Sequence, residues 1–276
     1  MLSYRHEFHA GNVADVLKHL VQIKTLEYLL KKQSPIVYID THAGAGVYST
    51  RSIKIKTTGE YEAGFGALKF KGLPESTKVY AEQIAPYGLK GQYPGSPSIS
   101  ADLLRPQDQL RLFELHSADF KTLASLFKND KRSRVENSDG FASLKALLPS
   151  KNKRALVLID PSYELKTDYQ KVASVVKEAW ERMPNALFLV WYPVVNRYHS
   201  KEMIRKLVNA QVKNMWQFEL GTAPDSPNEL GMTASGVIVI NPPWTLAEQL
   251  NEILPSLVRQ LAPDHGHHLV QRLTEE

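Results

Sequence analysis

The sequence predicts an α/β protein built on a doubly wound, mostly parallel sheet of seven strands, with a small helical insertion. Seven short segments are typical of strands, and helix-length stretches of mixed polarity separate most of them. Several of these segments have continuously apolar cores rather than alternating ones, as in parallel strands that are buried on both faces. With 276 residues, of which 43% are hydrophobic, the chain is long enough for one large domain or two small ones.

The first predicted element is a helix that begins after Asn12 and runs through VADVLKHLVQIKTLEYLLKK. Asn12 is a favoured N-cap residue, because its side-chain oxygen can accept a hydrogen bond from the first turn. Apolar residues recur three or four positions apart, which indicates an amphipathic helix. The predicted apolar stripe consists of Val13, Val16, Leu17, Leu20, Ile23, Leu26 and Leu30.

The seven predicted strands are PIVYID, LRLFELH, SRVENSD, ALVLIDP, ALFLVWYP, MWQFEL and GVIVINP. The last two are separated only by GTAPDSPNELGMTAS, which contains no convincing helix. We therefore predict that these last strands are antiparallel and form a pair at the edge of the sheet.

The first crossover is too long for a single helix. In a βαβ nucleotide site, the acid that binds ribose lies roughly 20 residues after the glycine turn, whereas the next acid at a strand end is Glu114, far beyond Gly46. We therefore predict a small, mostly helical insertion subdomain over residues 50–98. Residues 1–49 and 99–276 would form the main α/β domain.

Composition excludes several classes of protein. The chain has no cysteine, so disulfides and thiolate metal sites are excluded. The net charge of +5 permits a polyanionic partner. The N-terminal residues lack the apolar core of a signal peptide, and the longest apolar run, ALFLVWYPVV, is too short to span a membrane. We expect a soluble, cytoplasmic protein without a membrane partner.

Polar residues follow the first three predicted strands and indicate a ligand site. Gly44 and Gly46 in IDTHAGAG allow a tight turn that brings the backbone close to a ligand, although a third glycine and a P-loop lysine are absent. Asp40, at the end of the first predicted strand, suits a ligand with positive charge, such as S-adenosylmethionine. The alternative is that IDTHAGAG is an ordinary glycine-rich turn. Glu114 would bind the ribose hydroxyls and Asp139 the adenine amino group, unless these acids are helix caps.

Two strands end in motifs that are typical of chemistry on a planar amino group, Asp-Pro-Ser-Tyr at Asp160 and Asn-Pro-Pro-Trp at Asn241. In amino-methylating enzymes the base stacks on the aromatic ring, and its amine donates to the acid and to the proline carbonyl. We assign this role to Asp160, Pro161 and Tyr163, because the fourth strand should lie beside the first. Asn241 ends an antiparallel strand and would therefore lie at the opposite edge of the sheet, away from the site. We interpret Asn-Pro-Pro-Trp as a rigid end to that strand, with a packed Trp244.

The N-terminal segment SYRHEFHAGNVADVLKH is rich in basic and aromatic residues, namely Tyr4, Arg5, His6, His9, Lys18 and His19. Such a segment suits an RNA backbone or a splayed base, and a solvated helix terminus is the alternative. The segment has no cysteine and no cluster of acids at ligand spacing, so we expect no metal. The later run DHGHH is interpreted as a surface tail.

Taken together, the chain resembles the RlmJ family of bacterial 23S ribosomal RNA adenine-N6 methyltransferases. The shared motifs occur in order along nearly the whole chain: MLSYRHEFHAGN, ADVLKH, DTHAGAG, GEY, YPGSP, ELH, DGF, LIDPxYE with KTDYQ, WYPVV and GMTASG with IVINPPW. The resemblance implies a Rossmann-like class I fold, with the main domain as the methyltransferase catalytic domain and S-adenosylmethionine as the methyl donor.

The resemblance also implies roles for individual residues. The family's donor contacts fall on His19, His42, Ser96, Glu114, Asp139, Gly140 and Asp160, and Gly44 adds a backbone contact. Asp160 is also the catalytic position, and Tyr4 corresponds to a residue that caps the substrate site. The sequence departs from the family at Ser162, where proline is usual, and this puts the rigidity of the loop in doubt.

We expect direct methyl transfer to a target adenine that has left its stack, with no metal. The expected partner is naked or early-assembly 23S ribosomal RNA, which would contact Tyr4, Arg5, His6 and Lys18, and the expected oligomeric state is a monomer. The alternatives are a DNA adenine-N6 or cytosine-N4 methyltransferase and a catalytically silent RNA-binding module.

Overall fold

The computed structural model describes residues 5–225 and 231–276, which form an α/β protein around one large twisted sheet. The sheet has eight strands in the order β10-β8-β9-β7-β6-β1-β4-β5, and β2 and β3 form a separate two-stranded sheet. The strands are β1 (Val37–Asp40), β2 (Val47–Ser49), β3 (Gln92–Pro94), β4 (Gln109–Phe113), β5 (Ser133–Glu136), β6 (Ala155–Ile159), β7 (Leu187–Val194), β8 (Met215–Gly221), β9 (Ala234–Ile240) and β10 (His267–Arg272).

The central strands are parallel, as predicted. Strand β1 pairs with β4 on one side and with β6 on the other, and β5 and β7 extend the parallel part outward. The fourth predicted strand therefore does lie beside the first. Strand β9 is antiparallel to both β7 and β8, which confirms the predicted antiparallel pairing of the last two predicted strands.

The prediction of seven strands, with β8 and β9 at the edge, was wrong. Residues His267–Arg272, whose first residues were interpreted as a surface tail, form an eighth strand antiparallel to β8. Strand β9 lies between β7 and β8, so β10 is the edge strand. An edge strand that is only partly buried needs few apolar residues, and the histidine-rich start of HHLVQR resembles a surface tail.

Helices cover both faces of the sheet and create two apolar cores. Helices α1, α4, α5, α6 and α10 contribute to one core, and α7, α8 and α9 contribute to the other. Among the described residues, no helix is long and apolar enough to cross a membrane. The helices are α1 (Val13–Leu29), α2 (Ile53–Thr58), α3 (Glu60–Ala63), α4 (Lys78–Gly88), α5 (Ser96–Leu103), α6 (Ser117–Phe127), α7 (Gly140–Leu147), α8 (Lys166–Arg182), α9 (Arg197–Asn209) and α10 (Leu246–Leu261).

Helix α1 is the structural centre of one face. It begins after Asn12, whose side chain accepts a hydrogen bond from the Asp15 amide, as predicted. The predicted stripe is largely buried, but so are polar side chains on the same helix, including Lys18, His19 and Gln22. The reason is that α3, α4, α5 and α10 pack around α1 in addition to the sheet. The polar face of this helix is therefore available for an internal site.

The segment 50–98 is mainly helical and contains α2, α3, α4 and strand β3. It packs on the residues that precede α1, where the Phe65 amide donates to the Gly11 carbonyl at 2.8 Å. At Gly64 any side chain would overlap the backbone of Gly11 and Asn12. This segment therefore holds the N-terminal residues against the main sheet, and its status as a separate subdomain stays a prediction.

Candidate active site

The carboxyl ends of β1, β4, β5 and β6 meet at one edge of the sheet, as parallel strands require. A cavity opens at this edge, where ligands bind in doubly wound folds. The predicted donor residues are brought together here, since the cavity is lined by His19, His42, Gly44, Ser96, Glu114, Asp139, Gly140 and Asp160.

The glycine turn after β1 is as tight as the sequence predicts. Gly44 and Gly46 have φ angles of +62° and +82°, in the left-handed region that favours glycine. The Gly44 amide donates to the Glu114 carboxylate at 2.8 Å, and a side chain at this glycine would overlap the Tyr48 hydroxyl. The turn therefore fixes Glu114, which faces the cavity.

Asp40 does not line the cavity, and the predicted contact between Asp40 and a cationic ligand therefore does not fit. Its carboxylate is fully buried and accepts hydrogen bonds from the Tyr38 hydroxyl at 2.8 Å and the Ser96 hydroxyl at 2.7 Å. Burial raises the pKa of Asp40 to about 6. This acid orients Ser96, which does line the cavity.

The acids after β4 and β5 both hold backbone amides. Glu114 also accepts from the His116 amide at 2.7 Å, and burial raises the pKa of Glu114. Asp139 caps α7 by accepting from the Phe141 amide at 2.8 Å, which is the alternative that the sequence left open. A side chain at Gly140 would overlap the Thr41 backbone, so only glycine permits this close approach. The ribose and adenine contacts of these acids stay predictions.

Two buried histidines border the cavity. His19 Nδ1 lies 2.9 Å from the Tyr93 hydroxyl, and burial lowers the pKa of His19 to about 3. Its other nitrogen, Nε2, is buried and has no hydrogen-bond partner among the described residues. Burial also lowers the pKa of His42 to about 4. Because both imidazoles are neutral near pH 7, the unpaired His19 nitrogen fits a polar ligand atom rather than a counter-ion.

Asp160 lies where this first cavity meets a second cavity. The second cavity is also lined by Tyr163, Trp191 and Ser235, and it shares His6, Lys18, Asp160 and Ser162 with the first. Pro161 borders the first cavity. A group in either cavity can therefore reach the Asp160 carboxylate, and this geometry is suited to transfer between two ligands.

A chain of buried charges holds the Asp160 carboxylate. Lys18 donates to Asp160 at 2.5 Å and lies 2.8 Å from Asp15, which in turn lies 2.9 Å from His6 Nε2. Burial disfavours the Lys18 ammonium, but the two carboxylates outweigh this effect and raise its pKa. Burial raises the pKa of Asp160, and Lys18 opposes that rise. Sequence reasoning missed Asp15, because an acid three residues before a lysine resembles an ordinary surface pair.

The residues that were predicted to contact RNA differ in their burial and in their partners. Lys18 is buried and paired with two carboxylates, so a contact with an RNA phosphate does not fit its position. His6 lies between the two cavities rather than on an outer surface. Arg5 is partly exposed, but its guanidinium donates to Asp119 at 2.9 Å. Tyr4 lies outside the described residues.

The loop after β6 is held by Tyr163, whose backbone is left-handed with a φ of 51°. The Tyr163 hydroxyl donates to the Trp191 carbonyl at 2.7 Å, and its ring packs against Tyr169 at 4.5 Å between centroids. Left-handed backbone is unusual for an aromatic residue and is stable only when the surroundings fix it. Ser162, at the position of the usual proline, borders both cavities.

Asn241 lies at the opposite end of the sheet, as predicted, because β9 is antiparallel and its Ile240 pairs with Phe188 near the start of β7. Its side-chain amide donates to the carbonyls of Pro184 and Ala186 at 2.7 Å each. The expectation that Trp244 is packed was wrong, because this residue is 78% exposed. Neither residue borders the two cavities.

In the part of the chain that the structure describes, no three His, Asp or Glu side chains cluster so that they could hold a metal ion. The buried, neutral histidines and the acids at the carboxyl ends of β4 and β5 fit the amino-acid and nucleoside parts of S-adenosylmethionine. Together with the Asp-Pro-Ser-Tyr loop after β6, they define a class I S-adenosylmethionine-dependent methyltransferase.

Comparison with known proteins identifies the family. A family model described as ribosomal RNA large subunit methyltransferase D, RlmJ, matches residues 33–274. The ribosomal RNA large subunit methyltransferases J of Escherichia coli and Haemophilus influenzae are 48% and 44% identical to this chain, and each alignment covers both chains completely. The chain therefore belongs to the RlmJ family of large-subunit ribosomal RNA methyltransferases.

Solved structures agree with this fold. A crystal structure of a Legionella pneumophila protein is similar with a TM-score of 0.89 and 35% identity, covering 96% of this chain and 98% of that one. A probable spermidine synthase from Corynebacterium glutamicum has a TM-score of 0.51 at 10% identity, covering 97% of this chain and 77% of that one. The second similarity concerns the fold alone.

Proposed function

We propose that this protein transfers a methyl group from S-adenosylmethionine to the N6 atom of a specific adenine in 23S ribosomal RNA. The observation that carries the proposal is the position of the Asp160 carboxylate, which borders both cavities. A carboxylate at this junction can accept a hydrogen bond from the amine of a base in one cavity while that amine faces the other cavity.

The donor would be held by His19, His42, Ser96, Glu114, Asp139, Gly140 and the Gly44 backbone, which line the first cavity. When bound, S-adenosylmethionine supplies an electrophilic methyl group on a sulfonium. The neutral imidazoles of His19 and His42 avoid repulsion with that positive charge. The Asp160 carboxylate adds a favourable negative charge at the junction.

The substrate base would be oriented by Asp160, the Pro161 carbonyl and Tyr163. One oxygen of Asp160 accepts from Lys18, so the other oxygen remains for the amine of the adenine. Lys18 also opposes the rise in the pKa of Asp160 that burial causes, which favours the ionised acceptor over a hydroxyl donor. Alignment of the amine with the methyl group contributes more here than a strong base does.

The buried position of Asp160 also bears on the form of the substrate. Its side chain is only 12% exposed, so the adenine must leave its stack to reach it. We propose that naked or early-assembly RNA, whose bases are accessible, is the substrate, and that a monomer acts on it in the cytoplasm. Tyr4, Arg5 and His6 would contact this RNA. Arg5→Ala should then make the salt dependence of RNA binding shallower by about 0.7–0.9 in slope.

The test is transfer of labelled methyl groups to naked 23S ribosomal RNA, assembled large subunits and duplex DNA, followed by nucleoside separation. We expect label in N6-methyladenosine from naked RNA and none with Asp160→Ala. Label in DNA alone would identify a DNA methyltransferase. RNA binding without any label would identify a silent RNA-binding module, and either result would overturn the proposal.

A further inference from the structure

The second cavity extends well beyond the place where one base would meet Asp160. It runs past four neighbouring strands, from Asp160 after β6 through Trp191 on β7 and Ser235 at the start of the antiparallel β9 to Leu220 near the end of β8. Three strand spacings of about 4.8 Å make this roughly 14 Å. An adenine on Tyr163 occupies only the end near β6 and β7, so the rest of the cavity is available to another group.

This remaining part has an aromatic floor. Trp191 is half-buried, and its indole Nε1 donates to the Ser235 hydroxyl at 2.8 Å, which fixes the orientation of the ring. Its ring stands edge-on to Tyr163, with 5.8 Å between the centroids. Leu220 and Leu261 add apolar surface. A rigid, partly exposed indole beside the target position suits a second base, because bases stack on aromatic side chains without regard to sequence.

The other wall of this part is polar and comes from helix α3. Glu60 borders the cavity, and its carboxylate accepts from His9 Nδ1 at 2.9 Å and from the Asn12 side-chain amide at 2.9 Å. These two donors fix the side chain, which is still 36% exposed. A carboxylate has about four lone-pair sites, so Glu60 retains acceptor capacity on the side that faces the cavity.

We propose that this part of the cavity is a second nucleotide subsite, which binds the neighbour of the target adenine through a base on Trp191 and a ribose 2′-hydroxyl on Glu60. The subsite rests on the proposed RNA methylation and extends it to a second nucleotide. Only RNA carries the 2′-hydroxyl, so Glu60 selects RNA over DNA at this position. The target and its neighbour are then both splayed into the protein.

The experiment uses a short RNA fragment around the adenine that the wild-type protein methylates, with one 2′-deoxy residue placed at the target or on either side. If no RNA is methylated at all, the proposed function fails, and the subsite that rests on it fails with it. With wild-type protein, we expect one flanking 2′-deoxy residue to lower kcat/KM about tenfold, the scale for losing a hydrogen bond to a charged group.

Glu60→Gln distinguishes binding from a structural role. The amide oxygen of the variant is a weaker acceptor than the carboxylate, so the variant should be slower than the wild type on the all-ribose fragment and should lose less than the wild type on the 2′-deoxy fragment. Glu62→Gln is the matched control, since Glu62 is exposed on the same helix. The subsite would be overturned if the flanking 2′-deoxy residue lowered kcat/KM equally in the wild type and in Glu60→Gln. It would also be overturned if kcat/KM depended only on the ribose of the target itself.

A second arm needs no protein variant and stands even if Glu60→Gln fails to fold. An abasic residue at the sensitive flanking position should lower kcat/KM of the wild-type protein about tenfold, because the stack on Trp191 is lost. An abasic residue one position further away should have no effect. Unchanged activity with the abasic neighbour would contradict a base on Trp191.

Discussion

Two loops of this protein have nearly the same sequence pattern and opposite positions. Asp160 to Tyr163 follows β6, and Asn241 to Trp244 follows β9, and each loop contains one residue with left-handed backbone, Tyr163 or Asn241. The first loop borders both cavities, whereas Asn241 donates to two carbonyls near the start of β7. The direction of the strand therefore decides which loop meets the donor site, and the motif alone does not.

The two loops also differ in how their polar side chains are used. The Asp160 carboxylate is held by a buried lysine and retains an oxygen for a ligand, whereas the Asn241 amide uses both of its hydrogens within the fold. Tyr163 is buried and Trp244 is 78% exposed. The Asp160 side chain thus remains available to a ligand, whereas the Asn241 side chain anchors its own loop.

The largest expected effect comes from removing the charge behind Asp160. Lys18→Met leaves Asp15 and Asp160 without their shared counter-ion, and we expect a loss of about 3–5 kcal/mol in the free energy of unfolding. The pKa of Asp160 should rise further, so the acidic limb of the pH–rate profile should move to higher pH. Denaturant unfolding and methylation at several pH values measure both effects.

Lys24→Met is the control for this prediction. Lys24 lies on the same helix and is also largely buried, but it pairs with Glu27, which is partly exposed. We expect a smaller loss of stability and no change in the pH–rate profile. Equal effects of the two substitutions would mean that Lys18 has no special link to Asp160.

The edge of the sheet that holds Asp160 should also hold the donor. Glu114→Ala and Asp139→Ala should each weaken binding of S-adenosylmethionine by about 1–3 kcal/mol, the scale of a hydrogen bond to a charged group. Calorimetry measures this affinity, and RNA binding should be unaffected. Unchanged donor affinity in both variants would place the donor elsewhere and separate it from Asp160.

Asn241→Ala should affect stability alone. The carbonyls of Pro184 and Ala186 lose their donor, and alanine is unfavourable in left-handed backbone, so we expect a loss of about 1–3 kcal/mol in the free energy of unfolding. Thermal and denaturant melts measure this loss. A melt identical to that of the wild type would show that the amide does not anchor this loop.

Much of the difference in position between the two loops can be predicted from the sequence. The apolar runs gave the parallel strands, and the placement of Asp160 and Asn241 at opposite edges followed from strand direction. Strand β10 was missed because a partly exposed edge strand needs few apolar residues and its histidine-rich start resembles a surface tail. The expectation that Trp244 is packed was wrong, because no neighbouring segment in the sequence shows what would cover it.

The parts of the site that depend on tertiary packing were harder to foresee. Asp15 and Lys18 resemble a surface pair on a helix, and only the packing of α3, α4 and α5 around α1 shows that both are buried. The roles expected of His19 and His42 came from family resemblance, because spacing alone gives a histidine no function. The contribution of α3 to the second cavity depends on how the segment 50–98 packs, and no motif indicates this.

The smallest expected effect concerns the difference in proline content between the loops. Asn-Pro-Pro-Trp has a second proline where the loop after β6 has Ser162. Ser162→Pro should be tolerated and should stabilise the protein by about 0.4–1 kcal/mol, provided that the backbone already suits proline. Thermal melts measure the gain. A loss of stability or of methylation would show that Ser162 has a backbone or cavity role that proline cannot provide.

The most direct test of the account compares single-turnover methyl transfer by wild-type protein, Asp160→Ala and Asn241→Ala at saturating donor, with folding checked by melts. We expect Asp160→Ala to be slower by roughly 10²–10³, the usual loss for one preorganised electrostatic group. Asn241→Ala should transfer methyl groups at the wild-type rate. An inactive Asn241→Ala beside a normally active Asp160→Ala would contradict the assignment of the reaction to the loop after β6.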